Sequence, residues 1–304
     1  MLSFHSTTTS PFPICADVGF QSDWLETLQM QFMQDAFIGG ALTACVAAII
    51  GYFVILRRDA FSSHAIAHIG FPGATGAILL GVPPLAGLVL FCTAGAVAIG
   101  TLGKQLEHRD VATGIILGLA TALGVLFSSL AGAGQSALTN VLFGNLLAIS
   151  RNQLLLFAAM TAVVVLVIAI IAKPLMFASV NPQVARARGV STGALGIVFM
   201  VALAVATTMA VQVIGTLLLF ALLIAPIATA LMITARPLRA VGLAMAIGVA
   251  SVCGGLALSA MFNLPPSFFI VAITSLGWFT ATAATRLTRS SPNRAIRPDT
   301  HHPI

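Results

Sequence analysis

Charge is what this sequence lacks most. Only 7% of its 304 residues are Asp, Glu, Lys or Arg, where an ordinary soluble chain carries ~25%. Those 22 side chains cannot coat a water-soluble body of 31.3 kDa. With 59% apolar residues and a mean hydropathy of +1.05, lipid must be the main solvent. Cysteine is also scarce. Cys15, Cys45, Cys92 and Cys253 show no CxxC spacing, which excludes a zinc knuckle or a disulfide framework and leaves them as small core residues. No phosphate-binding loop is present: before Gly103 and Lys104 the required glycine position holds Ala98, and Gln105 follows where Ser or Thr is needed. HExxH, GxSxG and paired carboxylates within the apolar stretches are missing too. The chain therefore carries no nucleophile and base for an intramembrane hydrolase, and it does not hydrolyse ATP itself. The first 35 residues contain no Lys or Arg, so no basic start of a signal peptide is read there. The net charge of +6 is no nucleic-acid footprint, because the 14 bases lie at the ends of apolar stretches.

What is present is apolar sequence in span-length pieces. At ~20 residues per crossing, nine candidates lie at 36–56, 63–81, 84–103, 111–131, 154–172, 195–211, 214–234, 240–262 and 267–285. The stretch 195–234 is nearly continuous and too long for one crossing, so it is divided at Gln212. The expected fold is an all-α polytopic membrane protein of about nine helices. An external tail occupies 1–35, the membrane domain 36–286, and a cytoplasmic tail 287–304.

Short basic loops stay cytoplasmic. With the N-terminus outside, Arg57, Arg58, Lys104, Arg109, Lys173, Arg186, Arg188, Arg236, Arg239, Arg286, Arg289, Arg294 and Arg297 fall inside, and only Arg151 outside. The expected location is a bacterial cytoplasmic (inner) membrane, with the C-terminus inside. Residues 132–153 read as an external re-entrant or interfacial piece. Residues 173–193 are the longest internal cytoplasmic connection. There Asn181 caps a short polar helix that starts at Pro182 and carries Arg186 and Arg188, and such a helix suits docking to a soluble partner.

Ionisable groups inside a membrane default to function, and two stand out. His64 and His68, four residues apart in AFSSHAIAHIGFPG, share a helical face. Two readings stand: joint ligands of a borderline-soft cation, or histidines bonded to neighbouring helices. Ser62 and Ser63 read as helix-start caps. Gly70, Pro72, Gly73 and Gly76 follow, which suits a kinked helix along a translocation path or a small-residue packing face. Pro226 is a hinge candidate, with Thr229 placed to satisfy a freed backbone group. Glu107, His108, Arg109 and Asp110 read as a solvated corner, and His301 and His302 as part of a tail.

From about residue 36 to 286 the ordered motifs resemble the membrane permease subunit of ATP-binding-cassette (ABC) importers for zinc, manganese and iron(II). They are RRDAFSSHAIAHIGFPG, with Arg57, Arg58, Ala60, Phe61, His68, Pro72 and Gly73 in register; Asp110 with Gly114; the stretch Leu142 to Ser150; NPQVARARGV; GTLLLFALLIAPIATA; and SAMFNLPPS. One departure is informative. Where that family has an aspartate four residues before its histidine, this chain has His64. The resemblance implies a metal-coordinating or gating pair at His64 and His68, and two imidazoles shift preference from manganese toward zinc. It also implies no prosthetic group, two permease copies, separate ATPase subunits docking at 181–190, and an external solute-binding protein. A zinc ion prefers four ligands, and two copies would supply four histidines. The competing reading is a self-contained ion-coupled carrier, which would keep carboxylates inside its spans and inverted repeats. Neither Asp nor Glu lies within a span of this sequence.

Overall fold

The computed structural model describes residues 24–103, 106–132, 144 and 146–289. Every regular element among them is helical. In chain order they are α1 (Trp24–Gln29), α2 (Gln31–Arg57), α3 (Ala60–Leu79), α4 (Pro84–Leu102), α5 (Leu106–Leu130), a 3-10 turn at Leu146–Ala148, α6 (Arg151–Val180), α7 (Pro182–Ala187), α8 (Thr192–Ile233), α9 (Pro237–Phe262) and α10 (Pro266–Arg289). Proline opens α4, α7 and α9 within the first turn, where its missing N–H costs nothing.

Seven of these helices are long and apolar enough to cross a membrane, not the nine counted from hydropathy. Two of the nine stretches fall short for different reasons. In α3 the serines, histidines and glycines lower the hydropathy, yet 14 of its 20 residues are buried; protein rather than lipid covers it. The other is the second limb of α8, Leu218–Ile233, which is apolar but short. The break in α8 falls at Gly215, with φ 79° and ψ 168°, three residues beyond the expected division at Gln212. That backbone conformation is essentially glycine's alone.

The limbs of α8 run antiparallel along α2. A Cβ built on Gly39 would sit 3.9 Å from Val213, while one on Gly51, about three turns further along α2, would meet Leu223 and Ile227. Arg57, at the far end of α2, lies over Phe199. The chain thus climbs from Phe199 to Val213, turns at Gly215 and descends again. Neighbouring helices alternate in the same way. Thr282 of α10 reaches Met232 at the foot of the descending limb, and Tyr52 reaches Met176 in α6. This arrangement gathers Arg57, Arg58, Arg109, Arg186, Arg188, Arg236 and Arg286 at one end of the bundle. At the other end stands Arg151, 4.0 Å from the largely buried Asp35.

Close helix crossings are made by small residues, as expected where burial in lipid gives little drive for association. Gly73 of α3 and Gly87 of α4 meet backbone to backbone, and Gly255 of α9 packs on Ile270 of α10. The first element boundary also differs from expectation. Helix α2 begins at Gln31 and buries Asp35, so the helical body starts ahead of residue 36. The described part of 132–153 is Gly144, the 3-10 turn and the start of α6. The rest of the re-entrant reading, at 133–143 and 145, lies outside the described residues. So do Lys104, residues 1–23, and 290–304 with Arg294, Arg297, His301 and His302.

Candidate metal pathway and its supports

His64 and His68 form one unit. Their ring centroids are 4.6 Å apart at 69°, and Phe220 of the descending α8 limb places its ring 5.1 Å from His64. Both imidazoles are partly exposed along the flank of the single chain, beside the exposed rings of Phe61 and Phe220. His64 Nδ1 is nevertheless buried and has no hydrogen-bond partner. An unpartnered buried ring nitrogen needs an explanation, and no protein group in the structure bonds to it. Pro72 lies four residues beyond His68 and carries no N–H, so the helix ladder leaves the His68 carbonyl without its usual donor.

The other expected path residues sit on supporting faces. Pro72 is buried, with its ring next to Gly124 of α5, and Gly73 is taken up by the contact with Gly87. Of the two readings for this glycine-rich stretch, Gly73 serves packing. Ser62 and Ser63 do not cap α3. Ser63 donates back to the Ala60 carbonyl, Ser62 lies 3.4 Å from Thr113 of α5, and Asp59 occupies the N-cap position without a side-chain cap. Thr229 bonds to the Ala225 carbonyl at 2.8 Å, whereas the carbonyl freed by Pro226 is that of Leu222, four residues before it.

The expected polar helix is α7. Asn181 Oδ1 accepts from the Val184 N–H at 3.2 Å, Pro182 follows as the first helical residue, and Ala185 is fully buried. Gly189, at φ 78°, ends it with paired bonds from Gly189 to Arg186 and from Val190 to Ala185, a Schellman motif. Arg186 and Arg188 are exposed. Arg186 Nε donates to Thr192 Oγ1 at 3.1 Å, and Arg188 lies 5.8 Å over Phe177.

Sequence reasoning missed a buried ion cluster at the start of α3. Asp59, 1% exposed, receives Arg57 Nε at 3.0 Å on one oxygen, and Arg109 Nη1 lies 2.6 Å from the other. The second contact is off the hydrogen-bond line, and Arg109 Nε has no acceptor, so charge more than direction holds Arg109 there. Burial pushes the Asp59 carboxyl above its ordinary value, and Arg109 and Arg57 oppose that rise. Arg109 therefore does not belong to a solvated corner. Its stem packs into the space that Gly103 leaves, where a Cβ would come within 2.7 Å. The signal was the aspartate between two arginines and an apolar helix, a poor place for an unpaired acid.

A bundle with seven helices long and apolar enough to cross a membrane, and an imidazole pair on a helix covered mostly by protein, defines a class: a polytopic membrane protein with ionisable side chains inside its helical body. Residues 29–285 match the ABC 3 transport family, and the chain belongs to it. It is 30% identical over 255 residues to the "Manganese transport system membrane protein MntC" of Listeria monocytogenes, covering 84% of this chain and 91% of that one. It is 31% identical to the "Probable iron transport system membrane protein" of Haemophilus influenzae, covering 83% and 96%. Among solved structures, PsaBC from Streptococcus pneumoniae in complex with Fab superposes with a TM-score of 0.75 at 28% identity, over 85% of this chain and 94% of that chain.

Proposed function

We propose that this chain is the permease of an ABC importer that moves a divalent transition-metal ion across the bacterial cytoplasmic membrane. The observation that carries this reading is the His64–His68 pair, 4.6 Å between ring centroids, with one buried nitrogen unpaired. Two such pairs from two copies of the chain, facing each other across the flank that carries Phe61 and Phe220, offer four imidazoles to one ion. The basic end of the bundle is cytoplasmic by the positive-inside rule, which sets the start of α2 outside and the end of α10 inside. On that end α7, with Pro182, Arg186 and Arg188, is the docking element for a separate ATPase. The opposite end receives metal from an external binding protein.

Zinc is the first choice of cargo, because imidazole suits zinc better than manganese, which prefers oxygen. Manganese and iron(II) form a second reading, favoured by the names of the relatives. Uptake of radiolabelled metal by the assembled transporter in vesicles tests both. ATP-driven uptake that disappears in His68→Ala, at normal amounts of assembled protein, is the expected result. Normal uptake by that variant refutes the pair as the path.

A further inference from the structure

The ion cluster at Asp59 ties together elements whose motions an importer has to link. α7 is separated from α8 by four residues and is also joined to it by the Arg186 to Thr192 hydrogen bond. One turn into α8, Gly196 leaves room for the Arg57 guanidinium, 3.3 Å from where a Cβ would stand, and Phe199 carries that guanidinium 5.3 Å over its ring. Arg57 in turn binds Asp59. Asp59 is the N-cap position of α3, and its carbonyl accepts from the Ser63 N–H at 2.9 Å. One residue further is His64. From the other side Arg109 reaches Asp59 from the start of α5 through the gap at Gly103. The backbone around Asp59 is fixed as well. Arg58 takes a left-handed conformation, φ 59°, and Asp59 N–H returns to the Val54 carbonyl. The corner between α2 and α3 is therefore rigid, and its buried carboxylate is held by α2 and α5, with α8 beneath Arg57.

We propose that Arg57, Asp59 and Arg109 form the mechanical joint that passes the position of α7 and the foot of α8 to the histidine-bearing helix α3. Asp59 is a positioning residue: it touches no cargo, and it acts by setting the start of α3 and hence the height and rotation of His64 and His68. A displacement of α8 carries the Arg57 stacking platform with it. Because Arg57 and Asp59 are paired in a dry setting, where a lone charge is costly, the pair moves together and α3 follows. The Arg109 contact, close but poorly aligned and with Nε free, is the element that can re-form at a second position. This inference rests on the importer reading of α7 and the histidine pair.

The test uses the complete importer in vesicles, with ATP hydrolysis and metal uptake measured in the same preparation. Asp59→Asn and Arg57→Gln should keep hydrolysis, while uptake per ATP falls by about 5-fold or more, the lower range of ordinary coupling between sites. Arg57→Gln leaves the Asp59–Arg109 pair intact, so it stays informative if Asp59→Asn does not assemble. Asp59→Glu, which keeps the charge, should restore most of the ratio. An unchanged uptake-to-hydrolysis ratio in Arg57→Gln overturns the joint. So does a proportional fall of both rates with the amount of folded complex, since that is what a merely structural cluster would give. Wild-type vesicles without ATP-driven uptake would instead count against the importer reading itself, and so the two failures are separable.

Discussion

Gly73 and Gly87 face each other across the α3–α4 crossing with no side chain between them, and a Cβ built on either runs into the carbonyl of the other. This contact sets how closely the histidine helix lies against its neighbour. Replacing Gly87 by Leu should force the helices apart at a cost of about 1–3 kcal/mol, the usual range for overpacking. The expected outcome is a lower Tm of the detergent-solubilised chain and reduced uptake. A variant with wild-type Tm would show that the crossing is looser than the backbone contact implies.

The reversal in α8 makes a second, independent demand on glycine. At φ 79° and ψ 168° Gly215 lies where a side chain is strained, and Gly144 closes over the same backbone from the 3-10 turn region. Gly215→Ala should cost about 1–3 kcal/mol and lower the thermal midpoint, with the loss arising from conformation rather than from any lost contact. Because the substitution removes no side chain, an unchanged midpoint would mean that α8 is not broken at this residue.

These two positions also show what the sequence carries and what it hides. Span positions were legible because hydropathy is a sum over many residues, and the boundaries of α4, α9 and α10 lie close to the apolar stretches at 84–103, 240–262 and 267–285. Polar content drew attention to His64 and His68 for a sound reason: imidazoles are expensive in lipid. The turn at 215 was misplaced by three residues because Gln212 is the polar mark, whereas the chain turns where φ can be positive. Arg109 was misread because three charged residues and a histidine in a row resemble a solvated loop, and its partner Asp59 lies fifty residues earlier. Pairwise burial of that kind has no local signature.

For α7, Arg186→Glu together with Arg188→Glu reverses the exposed charge and removes both the Thr192 hydrogen bond and the Phe177 contact. Uptake should be lost while the chain stays in the membrane in normal amount, since neither arginine supports a span. Loss of the ATPase from the purified double variant, where the wild-type chain retains it, locates the defect at docking. Unimpaired ATP-driven uptake in the double variant would mean that the ATPase binds elsewhere.

The sharpest chemical test is His64→Asp. His64 places a buried, unpartnered Nδ1 beside the ring of His68, at the position where related permeases are expected to carry a carboxylate. The substitution trades an imidazole nitrogen for carboxylate oxygens on the same helical face, four residues from His68. In a site completed by two copies of the chain, the donor set changes from four nitrogens to two nitrogens and two carboxylates. Manganese favours oxygen donors and zinc tolerates either, so transport should survive while the ratio of manganese to zinc uptake rises. A tenfold rise corresponds to ~1.4 kcal/mol of differential stabilisation, well within what two exchanged ligands can supply. Competition between the two ions for uptake by wild-type and His64→Asp transporters measures the ratio directly. If the ratio is the same in both, His64 does not touch the moving ion, and the tight pairing of the two rings serves only to pack α3 against Phe220.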